Sequence, residues 1–330
     1  MIDPTLALVL VVILALAFDF SNGWHDSANA IATVVSTHVL TPGWAVLFAA
    51  VLNIAGAFMS TAVAKMIGGG IVEPSAIHQS TVAAALVGAI AWNLFTLMLG
   101  LPTSSSHALI GGIIGGALAQ SGLSAVKLSG LQKVLEAMLF SPLVGFVLGY
   151  LFILATYWMV YRVPRGPANR AFRRLQLVSS SLMSFSHGAN DAQKAMGIIT
   201  LALVSAGHLD RVAVPTWVIL SCAVAMGLGT AAGGWRIIKT LGMRIIKMEP
   251  VHGFAANTGA ALILLGTAHF GMPVSTTHTI TSSIMGVGAV KRLSAVRWGV
   301  TMRIVYAWLF TLPGAGLVAY GTTLIFQAFR

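Results

Sequence analysis

The sequence predicts an all-α polytopic membrane protein made of two related repeats. The 330-residue chain is 57% hydrophobic and 8% charged, with a mean hydropathy of +0.88; a soluble domain carries about 25% charged residues. Apolar runs at 6–18, 82–90, 143–155 and 255–265 are too numerous for one core and lack the alternation of a barrel strand. Two polar islands within this apolar sequence each occur twice, the pattern of a transporter with a site at a repeat interface.

In chain order, residues 6–18 form the first membrane helix. No basic region precedes them, Asp3 is acidic and no small-residue cleavage site follows, so a signal peptide is not indicated. The stretch continues to Leu40, longer than the roughly 20 residues a crossing needs, so the island from Asn22 to Asp26 is expected to break it. Helices are expected at about 5–20, 44–66, 80–100, 132–160, 178–206, 213–235, 251–270 and 298–323. Gly100-Leu101-Pro102 and Gly271-Met272-Pro273 each stop one helix and start another. The short Gly-rich pieces behind them, 108–120 and 279–290, suggest re-entrant or discontinuous helices. Residues 1–161 then form an N-terminal repeat, 162–177 a basic linker and 178–330 a C-terminal repeat. An even number of crossings per half makes the repeats parallel and an odd number makes them inverted.

The net charge of +11 is clustered: Arg162, Arg165, Arg170, Arg173 and Arg174, then Arg236, Lys239, Arg244 and Lys247, then Lys291, Arg292, Arg297 and Arg303. Such clusters between membrane segments follow the positive-inside rule, placing all three on the cytoplasmic side rather than on nucleic acid. Cys222 is the only cysteine, which excludes a disulfide framework. Glu73-Pro74 and Glu249-Pro250 read as loop ends.

The first island, Ser21-Asn22-Gly23-Trp24-His25-Asp26-Ser27-Ala28-Asn29, returns 165 positions later as Ser186-His187-Gly188-Ala189-Asn190-Asp191-Ala192-Gln193-Lys194. The second, Pro102-Thr103-Ser104-Ser105-Ser106-His107, returns 171 positions later as Pro273-Val274-Ser275-Thr276-Thr277-His278. Hydroxyls of Ser104, Ser105, Ser106, Ser275, Thr276 and Thr277 at helix N-termini suit a tetrahedral oxyanion, or simple helix capping. His107 and His278 suit that site or an interhelical bridge. Asp26 and Asp191 share a slot; beside an anion in a low dielectric they require protonation or a co-bound cation, the signature of cation-coupled anion symport. Lys194 lies one turn from Asp191, in the slot of Asn29, and can pair with the acid or offset substrate charge. His25 is either a proton carrier or a hydrogen-bonded spacer. Asn22, Asn190, Gln193 and mid-helix Asn53 are further amide candidates, and Asp19 has no acidic counterpart, Ser184 filling its slot.

Along essentially its whole length the chain resembles the inorganic phosphate transporter (PiT) family. Gly188-Ala189-Asn190-Asp191 matches that family's duplicated motif in full, while Gly23-Trp24-His25-Asp26 is the variant of its bacterial low-affinity branch. The resemblance implies an inverted-repeat fold with re-entrant hairpins, often a homodimer, phosphate import driven by a cation gradient, and essential roles for Asp26 and Asp191. It also departs from sodium-coupled members: Lys194 follows the second motif and Asn53 stands where animal members carry an acid. Protons are therefore favoured over sodium as the co-transported ion, with metal–phosphate as an alternative cargo, in a bacterial inner membrane. The competing readings are a sulfate:proton symporter of the same fold and an intramembrane Ser/His/Asp enzyme; duplication argues against the enzyme, whose catalytic set would be asymmetric. No resident cofactor is expected.

Overall fold

The computed structural model describes residues 3–69, 71–72, 78–290 and 292–329; Glu73-Pro74 and Lys291 lie outside this set. Twelve α-helices are found among the described residues: α1 (Pro4–Ser36), α2 (Pro42–Ala57), α3 (Ala62–Gly69), α4 (Gln79–Leu99), α5 (Ser105–Ser121), α6 (Leu128–Met159), α7 (Arg165–Ser205), α8 (Thr216–Ala232), α9 (Trp235–Lys239), α10 (Pro250–His269), α11 (Thr276–Ala289) and α12 (Trp298–Ala328). The protein is a multi-pass, all-α membrane protein. Six of these helices are long and apolar enough to cross a bilayer, and the bent pairs α2–α3 (74°) and α8–α9 (61°) raise the number to as many as eight.

The order of α1 to α6 is repeated by α7 to α12, and the two sets interlace. α1 packs on α8 and α2 on α7; α5 lies between α4 and α12, and α11 between α10 and α6. Large side chains such as Phe140, Leu143 and Trp158 on α6 and Leu309, Phe310 and Leu317 on α12 are exposed, so these two helices present an apolar outer face suited to lipid.

The expected break in the first island does not occur. α1 is one 33-residue helix and α7 one 41-residue helix. The island's hydroxyls bond back to their own helix, Ser21 Oγ to the Phe18 carbonyl (2.8 Å) and Ser27 Oγ to that of Trp24 (3.0 Å), leaving the ladder intact. At 1.5 Å per residue α1 is about 50 Å long, so it overshoots the bilayer core rather than stopping inside it. The island glycines serve close packing instead: Gly188 lies against the Asn53 backbone of α2, and Gly23 against the Met226 backbone of α8. Breaks not foreseen fall at 58–61 and 233–234, between the members of each bent pair. Residues 165–177, read as linker, are the first turns of α7. α7 is not among the apolar spans, because much of its buried face is polar.

The second island breaks the chain as expected. Gly100 (φ 67°) and Gly271 (φ 66°) take left-handed conformations that end α4 and bring the chain round after α10. Ser104 caps α5 by accepting from the His107 amide (3.2 Å), and Ser275 caps α11 by accepting from that of His278 (3.1 Å).

Candidate functional site

The middle of α1 and of α7 and the N-termini of α5 and α11 converge on one buried polar centre. One oxygen of Asp26, one of Asp191 and a ring nitrogen of His187 lie within 4.8 Å of one another. Ser105 Oγ donates to Asp26 Oδ2 (3.0 Å) and Thr277 Oγ1 to Asp26 Oδ1 (3.2 Å). Thr276 Oγ1 donates to Asp191 Oδ1 (2.6 Å). Lys194 Nζ is 2.9 Å from Asp191 Oδ2 and donates to Ser105 Oγ at 2.9 Å. Asp191, Lys194, Ser105 and Asp26 thus form one continuous polar chain, drawing residues from α7, α5 and α1. Asn29 Nδ2 donates to Thr277 Oγ1 (2.9 Å), extending the network on the other side. These side chains are all buried; Lys194 is 1% exposed despite its length.

His25 supports Asp26. Its Nδ1 is 2.7 Å from Asp26 Oδ1, and its Nε2 faces the hydroxyls of Thr96 (3.1 Å) and Thr103 (3.3 Å). His187 supports Asp191, with Nε2 3.3 Å from Oδ2 and Nδ1 bonded to Asn53 Oδ1 (2.8 Å). Asn53 Nδ2 in turn donates to Thr230 Oγ1 (3.2 Å), so Asn53 reaches the centre only through His187.

The remaining candidates lie elsewhere. Ser104 and Ser275 are caps, and Ser106 Oγ donates to the Val274 carbonyl (3.1 Å), tying one island to the other. Asn190 Nδ2 donates to Thr267 Oγ1 at a long 3.4 Å. Gln193 is turned away: its Oε1 accepts from the amides of Val63 (2.8 Å) and Ala64 (3.2 Å), satisfying the start of α3. His107 and His278 meet edge to face, 4.4 Å between ring centroids, and His278 stacks on Trp308 at 4.0 Å. Both side-chain polar atoms of Asn22 lack a hydrogen-bond partner. Thr96, Thr103, Thr230 and His187 were not singled out from sequence. His187 and Thr103 carried a signal, the one in the second copy of the first island and the other in the second island.

The charge balance is uneven. At the observed 4.8 Å limit, two carboxylates repel by about 3 kcal/mol at an effective dielectric of 20. Lys194 offsets one of them, leaving the pair and the lysine with a net negative charge. Asp26, His187 and Asp191 have metal-ligand chemistry, but Lys194 Nζ already holds the Asp191 oxygen that faces His187. The trio therefore does not fit a resident metal.

A cavity of about 900 Å³ opens near the end of α1, lined by Ser36, Thr37, Tyr157, Arg165, Phe172 and Glu249 among others. Between it and the centre lies a belt of buried polar side chains: Thr37 Oγ1 donates to Gln176 Oε1 (3.0 Å), Thr33 Oγ1 to Asn257 Oδ1 (3.2 Å), and Asn257 Nδ2 to Ser180 Oγ (2.7 Å).

A multi-pass helical body built from two matching halves, with hydroxyl-bearing helix N-termini and paired carboxylates buried where those halves meet, has the architecture of a membrane transporter. The chain belongs to the phosphate transporter family, whose pattern matches residues 22–319 and so runs from Asn22 of the first island past the second copies of both. It is 49% identical over 322 residues to a Rhizobium meliloti (strain 1021) protein named "Probable low-affinity inorganic phosphate transporter", with 96% of each chain covered. It is also 49% identical to a Bacillus subtilis (strain 168) protein of the same name, over 94% of this chain and 96% of that one. A solved structure titled "The sodium-dependent phosphate transporter" has the same fold, with a TM-score of 0.88 and 24% identity over 98% of this chain and 100% of its own.

Proposed function

We propose that this protein imports inorganic phosphate across a bacterial cytoplasmic membrane by proton symport. The observation that carries the reading is the chain Asp191–Lys194–Ser105–Asp26, flanked by Thr276 and Thr277. Phosphate takes over the hydroxyls of Ser105, Thr276 and Thr277, Nζ of Lys194 and the amide of Asn29, all donors suited to its oxygens. Asp26 and Asp191 then face an anion at short range, and the added negative charge must be balanced by a positive one that moves with it. A carboxylate acceptor at Asp26 suits a protonated phosphate. Lys194 occupies the place a sodium ion would need beside Asp191, which favours protons over sodium.

The repeats are read as inverted, residues 1–161 against 178–330. Two neighbour relations support this. Arg173 Nη2 of α7 donates to the His38 carbonyl just beyond α1 (2.7 Å), so α1 ends where α7 begins. Likewise α12 begins after Arg297, whose amide is bonded to the Ile245 carbonyl (3.0 Å) in one basic segment, whereas α6 begins after Lys127, whose amide is bonded to that of Ile71 (2.8 Å). The basic end carries Arg165 and the large cavity, and is read as cytoplasmic. Release then proceeds through the belt of Thr33, Thr37, Gln176, Ser180 and Asn257.

The test is uptake of labelled phosphate into proteoliposomes under imposed gradients, with and without magnesium. An acid-outside pH gradient in sodium-free buffer is expected to drive accumulation. Accumulation driven by sodium alone would overturn proton coupling, and accumulation only with magnesium would make metal–phosphate the cargo.

A further inference from the structure

One buried acid takes no part in the phosphate centre. Asp19 of α1 is 0% exposed, and neither of its carboxyl oxygens has a hydrogen-bond partner. Asn22, one turn further along the same helix face, is equally buried, and both its side-chain amide atoms are also unpartnered. Four unpartnered polar atoms on adjacent turns of a buried helix are costly and call for a role beyond packing. From α7, Lys194 and Asp191 act on Asp19 electrostatically; from α8, the Cys222 thiol faces it. α2 and α4 carry no titratable side chain, and Cys222 is the only one on α8.

We propose that Asp19, with Asn22 beside it, carries the coupling proton at a position separate from the phosphate centre and linked to it through Lys194. The inference rests on the symport reading and names where its cation rides. A carboxylate that is fully buried, with nothing stronger than the Cys222 thiol to donate to it, is unstable as an anion, so loading it with a proton is the neutralisation this pocket allows. A hard metal cation needs a cage of about six or more oxygens, whereas Asp19 and Asn22 supply three and the charge of the Lys194 ammonium already acts on the carboxylate. Asp19 and Lys194 are coupled by charge. When phosphate draws the Lys194 ammonium towards itself, Asp19 loses that compensating charge and a proton takes its place. The O–H bond forms with a proton from water on the outer side and breaks to water on the inner side, with no other bond changed. Phosphate and proton thereby load together without sharing a ligand.

The experiment compares Asp19→Asn with wild type in proteoliposomes. The amide imitates the permanently loaded state, so phosphate–phosphate exchange is expected to persist while pH-gradient-driven accumulation is lost, the internal concentration no longer exceeding the external one. If Asp19→Asn still accumulates phosphate, or if the folded variant loses exchange as well, the inference is overturned. Cys222→Ser provides a second arm that does not depend on the stability of Asp19→Asn. A hydroxyl is a better donor than a thiol and competes with the proton for the carboxylate, so accumulation under a fixed pH gradient is expected to fall while phosphate–phosphate exchange persists. Unchanged or increased accumulation overturns the inference. Wild-type protein that fails to respond to a pH gradient would overturn the symport reading itself, a result distinct from either variant's failure.

Discussion

Replacing Lys194 by asparagine, the residue its twin position already holds as Asn29, probes the charge balance of the centre directly. The change removes an ammonium 2.9 Å from Asp191 Oδ2 and a donor 2.9 Å from Ser105 Oγ. It leaves two carboxylates with ligand atoms inside 4.8 Å of one another and of a His187 ring nitrogen. Stripping one partner from a buried ion pair costs about 3–5 kcal/mol, or about two to four orders of magnitude in an equilibrium constant. Initial rates of labelled phosphate uptake in sodium-free proteoliposomes are therefore expected to fall at least about a hundredfold. Adding sodium is expected to restore part of the rate, because Asp26, Asp191 and His187 then offer ligands to a cation in the vacated position. Size-exclusion and thermal-unfolding measurements establish that the variant is folded. Near-wild-type uptake by Lys194→Asn without sodium would refute the argument that this lysine supplies the fixed positive charge.

Further outcomes follow from the same geometry. Asp26→Asn retains shape but loses the charge that accepts from Ser105 and Thr277, each bond to a charged group being worth about 1.5–3 kcal/mol; uptake is expected to vanish with membrane insertion intact, and wild-type rates would contradict its role. Gly188→Ala places a methyl group against the Asn53 backbone, which cannot yield as a side chain would; overpacking of about 1–3 kcal/mol is expected, read as a lower unfolding temperature. Excess sulfate should leave labelled phosphate uptake intact, since Asp26 provides an acceptor that sulfate, fully ionised near neutral pH, cannot use; strong competition would favour sulfate as cargo.

Much of this centre was legible in the sequence because polar side chains in apolar helices are expensive, and repetition is not expected of accidents of composition. Those two facts singled out Asp26, Asp191 and the six hydroxyls as candidates, but they did not separate Ser105, Thr276 and Thr277, which meet the carboxylates, from Ser104, Ser106 and Ser275, which do not. What was not legible depends on contacts between helices far apart in the chain. Asn29 reaches Thr277 over 248 positions, and His25 reaches Thr96 over 71, with no local pattern to announce either. The helix break wrongly expected at the first island came from treating polar residues as interruptions, whereas Ser21 and Ser27 return their hydroxyls to their own helix. The island glycines instead let neighbouring helices approach, Gly23 against α8 and Gly188 against α2. Gln193 sat in the right motif on the wrong face of α7, a distinction that required knowing where α3 begins.

The most direct measurement is calorimetric titration of the purified protein with phosphate in sodium-free buffers of differing ionisation enthalpy, which counts the protons taken up per phosphate bound. Saturable binding with net proton uptake, lost in Asp26→Asn, is the expected result. Binding that takes up no proton, or that occurs only when sodium is supplied, would contradict it.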